Sequence, residues 1–193
     1  LFLAFVTLAV SLACNGGAKE TPVVVPSTSE EAVATGTTAP PTQQPPTPTP
    51  APVGTSPNNP VPLGSSLTAE GAKITIKGIV ARGAEATAIV TEWNTFNPEP
   101  SEGKEYVIIS GNVAYEGGKE DTLSITSFDF RAVVKGVIVD APFMLVGDEL
   151  LQGEMFAGGS IDGYLVFEVD EGATGIMVIY TVLLEESYYF ATE

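Results

Sequence analysis

From about residue 61 onward the apolar positions of this chain recur at every second residue. "AKITIKGIV" (72–80) sets Ile74 and Ile76 on one face and Thr75 and Lys77 on the other. "EYVIISGNVAY" (105–115) places Val107, Ile109, Val113 and Tyr115 inward, with Glu105, Ser110 and Asn112 facing outward or neutral. "GYLVFEV" (163–169) aligns Leu165, Phe167 and Val169 and leaves Glu168 to solvent. A period of two is the signature of half-buried strands, because successive side chains leave a strand on opposite faces. "GIMVIYTVLL" (175–184) is nearly continuously apolar and fits a central strand covered on both sides. "SYYF" (187–190) reads as the last strand, and Phe128 and Phe130 in "SFDFR" read as core residues sharing one strand face.

Clusters of turn residues separate these runs: "NPEPSEGK", "EGGKED", "VGDE", "AGGS" and "DEGATG". No long amphipathic window with helical spacing stands between them, and only "GDELLQGEM" could form a short helical turn. Short strands at regular intervals with no repeat predict an all-β fold, an antiparallel β-sandwich. Roughly 130 residues are enough for one such domain with one core. A Gly inside a strand marks a bulge or the close approach of another backbone, so Gly111 is expected to sit at one.

The pattern upstream is different. Residues 1–13, "LFLAFVTLAVSLA", are apolar throughout. They are too few to span a bilayer, which takes about 20 residues, and match the hydrophobic region of a signal peptide. A signal peptide opens on Met and basic residues, which are missing here, so the reading is of a truncated start. Residues 14–60 hold 11 of the 15 prolines, with abundant Thr, and follow no period. Such a tract buries too little apolar surface to offset its ordering entropy and is read as a disordered, partly polyproline II linker. The expected organisation is a leader (1–13), a Pro/Thr-rich linker (14–60) and a β domain (61–193).

Composition then narrows the function. The chain carries 8 Lys+Arg against 24 Asp+Glu, a formal charge of −16. That balance opposes nucleic-acid binding, which rests on phosphate neutralisation, and opposes adsorption to anionic lipid headgroups. With no His, neither a Ser-His-Asp nor a Cys-His triad can be assembled. With one Cys there is no internal disulfide and no Cys-rich zinc site. No cofactor is expected.

The single cysteine, Cys14, stands in "SLAC" between the apolar leader and the linker. This resembles a bacterial lipobox: Ala13 fits the position before cleavage, Leu12 fits loosely, and Ser11 replaces the usual Leu. The resemblance implies that the leader is removed and that Cys14 becomes a diacylated first residue, anchoring the chain to a membrane of the cell envelope. Two acyl chains anchor stably where one does not, at about 0.8 kcal/mol per buried CH₂.

"PSEGKEYVIISGNVAYEG", "LSITSFDFRAV" and "DELLQGEMFAGGSIDGYLVFEVDEG" together resemble the telokin-like, immunoglobulin-fold domain of secreted bacterial lipoproteins. That family is related to a mycobacterial immunoprotective antigen. "GKEYV", "FDF" and "GGSIDGYLVFEV" are the most specific pieces, and the likeness runs over most of residues 70–184. It departs at Ser110-Gly111, which interrupts the first long strand, and at the Gly- and charge-rich "YEGGKED" turn. The resemblance implies an immunoglobulin-like sandwich. It implies no catalytic residue, since the family has no established shared activity.

Three functions remain as expectations. The first is a binding module without catalysis, whose partner is an extracellular protein or glycan and whose aromatic anchors are Trp93 and Phe96 in "TEWNTFNPEP". The second is a carboxylate-dependent enzyme of glycoside-hydrolase type, using Asp148 with Glu149, or Glu168, Asp170 and Glu171. It requires two carboxylates facing each other roughly 5–9 Å apart across a cleft. The third is calcium-stabilised adhesion, although the alternating spacing of an EF-hand loop is missing.

Overall fold

The computed structural model describes residues 51–146, 148–182 and 186–193. The leader, Cys14 and the linker up to residue 50 lie outside the described residues. The strands are β1 (Ser66–Ala69), β2 (Ala72–Arg82), β3 (Lys104–Tyr115), β4 (Thr122–Ile125), β5 (Phe130–Val134), β6 (Val137–Asp140), β7 (Gly153–Phe156), β8 (Ser160–Asp170), β9 (Met177–Val182) and β10 (Glu186–Ala191). One helix, α1 (Gly83–Trp93), joins β2 to β3.

Among the described residues all pairings between strands are antiparallel, in sheets of order β1-β2-β3-β8 and β10-β9-β5-β6 with a small β4-β7 ribbon. The inward residues read from the alternation do fill the space between the two sheets. Ile74, Ile76, Val107, Ile109, Leu165 and Phe167 from the first sheet are at most 1% exposed. Phe130, Val178 and Phe190 from the second sheet meet them there.

The helix was not expected. Ala86, Ile89, Val90 and Trp93 stand at i, i+3, i+4 and i+7, but the stripe is narrow and led by alanine, so it carries little hydrophobic signal. Its burial comes from tertiary packing: α1 lies on the outer face of the first sheet. There Ala86 and Val90 join Tyr106, Ile108, Val166 and Leu150 in a second apolar layer. The run Glu105–Ile109 is consequently buried on both faces of β3. In "GDELLQGEM" the described residues, 148–155, form no helix: Leu150 makes a bridge to Tyr164 and the segment runs on into β7.

Three further expectations change. Glu105, expected to face solvent, is 9% exposed. It has the parity of Val107 and Ile109 and closes one end of the sandwich. Phe128 falls in a 3₁₀ turn (Ser127–Asp129), not in the strand, and is 59% exposed while Phe130 is fully buried. The turn is closed by Asp129, whose Oδ2 accepts from the Thr126 backbone N–H (2.7 Å) and hydroxyl (3.0 Å). Finally, the fold begins upstream of residue 61. Gly54 and Val61 exchange backbone hydrogen bonds with Tyr189 and Ala191, so residues 51–60, expected in the linker, lie along the edge of β10.

Gly111 is a point of close approach, as read, because a Cβ there would lie 3.1 Å from Leu151 Cδ2 and 3.3 Å from the Thr75 carbonyl. The irregularities of register fall across the sheet on β2, between Ile76 and Gly78 and between Ile79 and Ala81.

Candidate functional site

Two loops meet beyond the C-terminal end of α1, and a buried asparagine joins them. Asn97 is 8% exposed. Its Nδ2 donates to the carbonyl of Val90 in the last turn of α1 (2.9 Å) and to the carbonyl of Leu145 (3.0 Å). Its Oδ1 accepts the Leu145 N–H at 2.6 Å. One side chain thus satisfies a helix-end carbonyl and pairs with the backbone of a loop 48 residues away. The Tyr106 hydroxyl holds the same loop from below by donating to the Pro98 carbonyl (3.1 Å).

The clasp decides what the loops show to solvent. Phe96 precedes Asn97, in a turn where Asn94 Oδ1 accepts the Phe96 N–H (2.9 Å), and its ring is 83% exposed. On the other loop Met144 is buried at 7%, while its neighbours Phe143 and Leu145 are 70% and 40% exposed. Strand-like alternation drives Met144 into the layer beneath α1 and leaves the flanking residues outside. The Asn97–Leu145 pairing ties the loop that carries Phe96 to the loop that carries Leu145 and, two residues before it, Phe143. Exposed aromatics fixed on a rigid frame are the usual anchors of binding surfaces.

Trp93 and Phe96, the two expected anchors, therefore divide. Phe96 faces water. Trp93 is half-buried, packs against the α1 layer and stacks on Tyr164 with ring centroids 5.7 Å apart and planes at 24°. It supports the surface more than it contributes to it. Phe143, Leu145 and Asn97 were missed; "APFMLV" does alternate, but the run is too short to separate from loop.

The carboxylates fall into separate places. Asp148 and Glu149 border a shallow pocket of about 250 Å³ with Lys77, Ser110, Asp162 and Tyr164. Lys77 pairs with Asp162 there, and its hydrogen bond holds the Asp162 carboxyl below its ordinary range. Glu149 Oε2 is buried and has no hydrogen-bond partner among the described residues. Glu168 and Asp170 lie at the other end of β8: Glu168 accepts from the Ser101 N–H (3.1 Å) and Asp170 pairs with Lys104. Glu171 borders a different concavity, beside Lys104 and Glu99. Among the described residues, no three of His, Cys, Asp and Glu are grouped so as to hold a metal ion, and no helix is long and apolar enough to cross a membrane.

No protein-family model and no curated protein matches the chain. Solved structures do. The yjhA protein of Bacillus subtilis is similar over 69% of this chain and 99% of its own, with 16% identity and a TM-score of 0.51. MPT63, a secreted protein of Mycobacterium tuberculosis, is similar over 68% of this chain and 97% of its own, with 14% identity and a TM-score of 0.50. The chain is an immunoglobulin-like antiparallel β-sandwich. The fold implied by "GKEYV", "FDF" and "GGSIDGYLVFEV" is thereby borne out. A larger Bacillus subtilis protein, ycdA, matches 65% of this chain at 19% identity and a TM-score of 0.49; this chain spans 37% of its length.

Proposed function

We propose that this protein is a lipid-anchored, extracytoplasmic binding module, which displays its sandwich on a Pro/Thr-rich stalk and engages a protein or glycan partner through Phe96, Phe143 and Leu145. The observation that carries the binding part is the Asn97 clasp, which ties the loop of exposed Phe96 to the loop of exposed Phe143 and Leu145. Burying the mostly exposed Phe96 and Phe143 rings at an interface contributes up to roughly 1.5–3 kcal/mol each, and Leu145, already more than half covered, contributes less. Preorganised loops lose little entropy on docking. The anchor part draws its support from Cys14 between an apolar leader and a polar tract. That the structurally similar MPT63 is secreted is in keeping with the extracytoplasmic location, not with the anchor itself.

The docking surface is tested by a photo-crosslinking side chain at position 96 in cells. The expected result is a discrete adduct, reduced at least about tenfold by Phe143→Ala. An adduct no stronger than one formed from exposed Val80, on the first sheet, would remove this surface from the function. Both aromatic side chains are mostly solvated, so Phe96→Ala and Phe143→Ala are expected to move the melting temperature by less than about 2 °C.

The anchor is tested by metabolic labelling with a palmitate analogue. Label is expected on the wild-type protein and none on Cys14→Ser, which should leave the membrane fraction. Label that persists in Cys14→Ser would overturn the anchor while leaving the docking surface standing.

A further inference from the structure

A β-sandwich must protect the edges of its sheets, since each presents unpaired backbone groups to any passing strand. Three of the four long-sheet edges here are dealt with. The β10 edge is covered by residues 54–61, which bond to Tyr189 and Ala191. The β8 edge is covered where Leu151 N–H donates to Tyr164 O and Tyr164 N–H donates to Glu149 O, both at 2.9 Å. The β1 edge, four residues long like β6, shows solvent the polar Ser66 and Thr68.

β6 is different. Its sequence is Val-Ile-Val-Asp, Val137 is 64% and Ile138 53% exposed, and among the described residues it pairs only with β5. It carries no proline and no bulge. We infer that the β6 edge is a self-association surface, on which a second copy of this chain adds its own β6 antiparallel, about a two-fold axis through Ile138.

The register follows from the hairpin. Lys135 and Gly136, with φ of 50° and 81°, form a two-residue turn in which Val134 and Val137 are opposite. Residues flanking such a turn bond each other, so Val137 and Val139 turn their backbone groups to β5. The N–H and C=O of Ile138 and Asp140 then point to the open edge. A two-fold pairing uses both sets. Ile138 meets Ile138 of the second copy as a hydrogen-bonded pair with Cα atoms about 5.5 Å apart, and Asp140 meets Gly136.

Charge selects the same arrangement. The pairing carries the ammonium of Lys135, next to Gly136, to the carboxylate of Asp140 on the second copy, twice by symmetry. Within one chain neither makes an ion pair among the described residues. Asp170, which feels the Lys135 charge, is already held by Lys104. Arg131, opposite Asp140 on β5, spends its guanidinium on the Thr181 hydroxyl (3.0 Å). In a chain of charge −16 a free lysine beside an apolar edge counters the repulsion between copies. Ile138 also lines a groove of about 390 Å³ with Pro57, Val133, Met177, Ile179 and Tyr189, which the axis places beside its symmetry mate.

The experiment uses the full chain in cells, with crosslinking at the axis as the first readout. Ile138→Cys is expected to give a disulfide-linked dimer, since the pairing distance lies within the range a disulfide spans. Parent chain with Cys14 alone and Val80→Cys are not expected to. Lys135→Asp and Asp140→Lys, placed in the Ile138→Cys background, should each cut the dimer about tenfold, because each sets like charges together. Combined, they restore the pairing with signs exchanged, and the dimer should return. Melting curves of each variant separate lost association from lost folding. A dimer yield from Ile138→Cys no higher than from Val80→Cys overturns the inference. So does failure of the charge exchange to restore it in folded protein. Amides of β6 that are protected in a monomer and freed by deleting residues 15–50 would assign the edge to the chain's own upstream segment and overturn it equally.

Discussion

Gly163→Ala is expected to destabilise the protein by about 3 kcal/mol, combining overpacking with two broken hydrogen bonds. Gly163 lies in the middle of β8, where the 149–151 segment crosses so closely that a Cβ would stand 2.6 Å from the Leu151 nitrogen and 2.7 Å from the Leu150 carbonyl. Those neighbours are backbone and cannot rotate aside. Relief requires the crossing segment to lift, which stretches the Leu151–Tyr164 and Tyr164–Glu149 hydrogen bonds. It also draws on Leu151, whose side chain is fully buried between the sheets. For a domain of this size the loss corresponds to a fall of about 10 °C in melting temperature, readable by circular dichroism. Gly118→Ala is the control, because its Cβ would meet only the movable Asp121 carboxylate in an exposed turn. A Gly163→Ala protein melting with wild type would show that β8 and the crossing segment are not packed as described.

Glu105 carries the second large effect. Arg82 Nη2 donates to Glu105 Oε1 and to the Ala173 carbonyl (2.9 Å), and Gly172 N–H donates to the same carboxylate oxygen (2.9 Å). This network ties the β2–α1 junction, β3 and the β8–β9 turn at one end of the sandwich. Glu105→Gln leaves the guanidinium without a counter-charge, which for a deeply buried pair costs 3–5 kcal/mol. The Arg82 side chain is about one-third exposed, so water takes part of the burden and a loss of about 2 kcal/mol is expected.

The effect depends on pH in a definite direction. The Arg82 hydrogen bond, with help from the Gly172 N–H and against the cost of burial, holds the Glu105 carboxyl below its ordinary value of 4.5. Between the folded and unfolded pKa the unfolded chain binds more protons, so stability rises with pH in that interval. The contribution is therefore complete above about pH 4.5 and is lost as pH falls through the folded value. Melting temperatures of wild type and Glu105→Gln should differ most near neutrality and converge in acid. A difference that stays constant from pH 7 to pH 3 would show that the carboxylate charge is not what Arg82 holds.

Much of the sandwich could be read from local pattern, and particular residues show where that stops. Val107, Ile109, Leu165 and Phe167 are buried where the period of two placed them, because alternation is a property of the strand itself. Glu105 has the parity of that set and was still expected outside, since a carboxylate is seldom buried without a partner. Its partner, Arg82, lies 23 residues away. Phe128 was misplaced because a capped turn breaks the strand rhythm before Phe130. The helix was passed over because an alanine-led stripe is weakly hydrophobic until a sheet is set against it.

The candidate site was legible only in part. "TEWNTFNPEP" points to Phe96, but nothing local distinguishes Phe96 from Trp93; the difference arises because Tyr164 of β8 receives one ring and, among the described residues, no element receives the other. By itself, then, the sequence determined the all-β class, the strand faces, and the chemistry that no triad of this chain can perform. These follow from side-chain period and composition, which act within a few residues. Tertiary structure alone decided that a helix covers one sheet, that Asn97 ties the Phe96 loop to Leu145, and that β6 is the apolar edge left unpaired on one side among the described residues. Those outcomes depend on which segments, tens of residues apart, come to share a surface and satisfy one another's backbone groups.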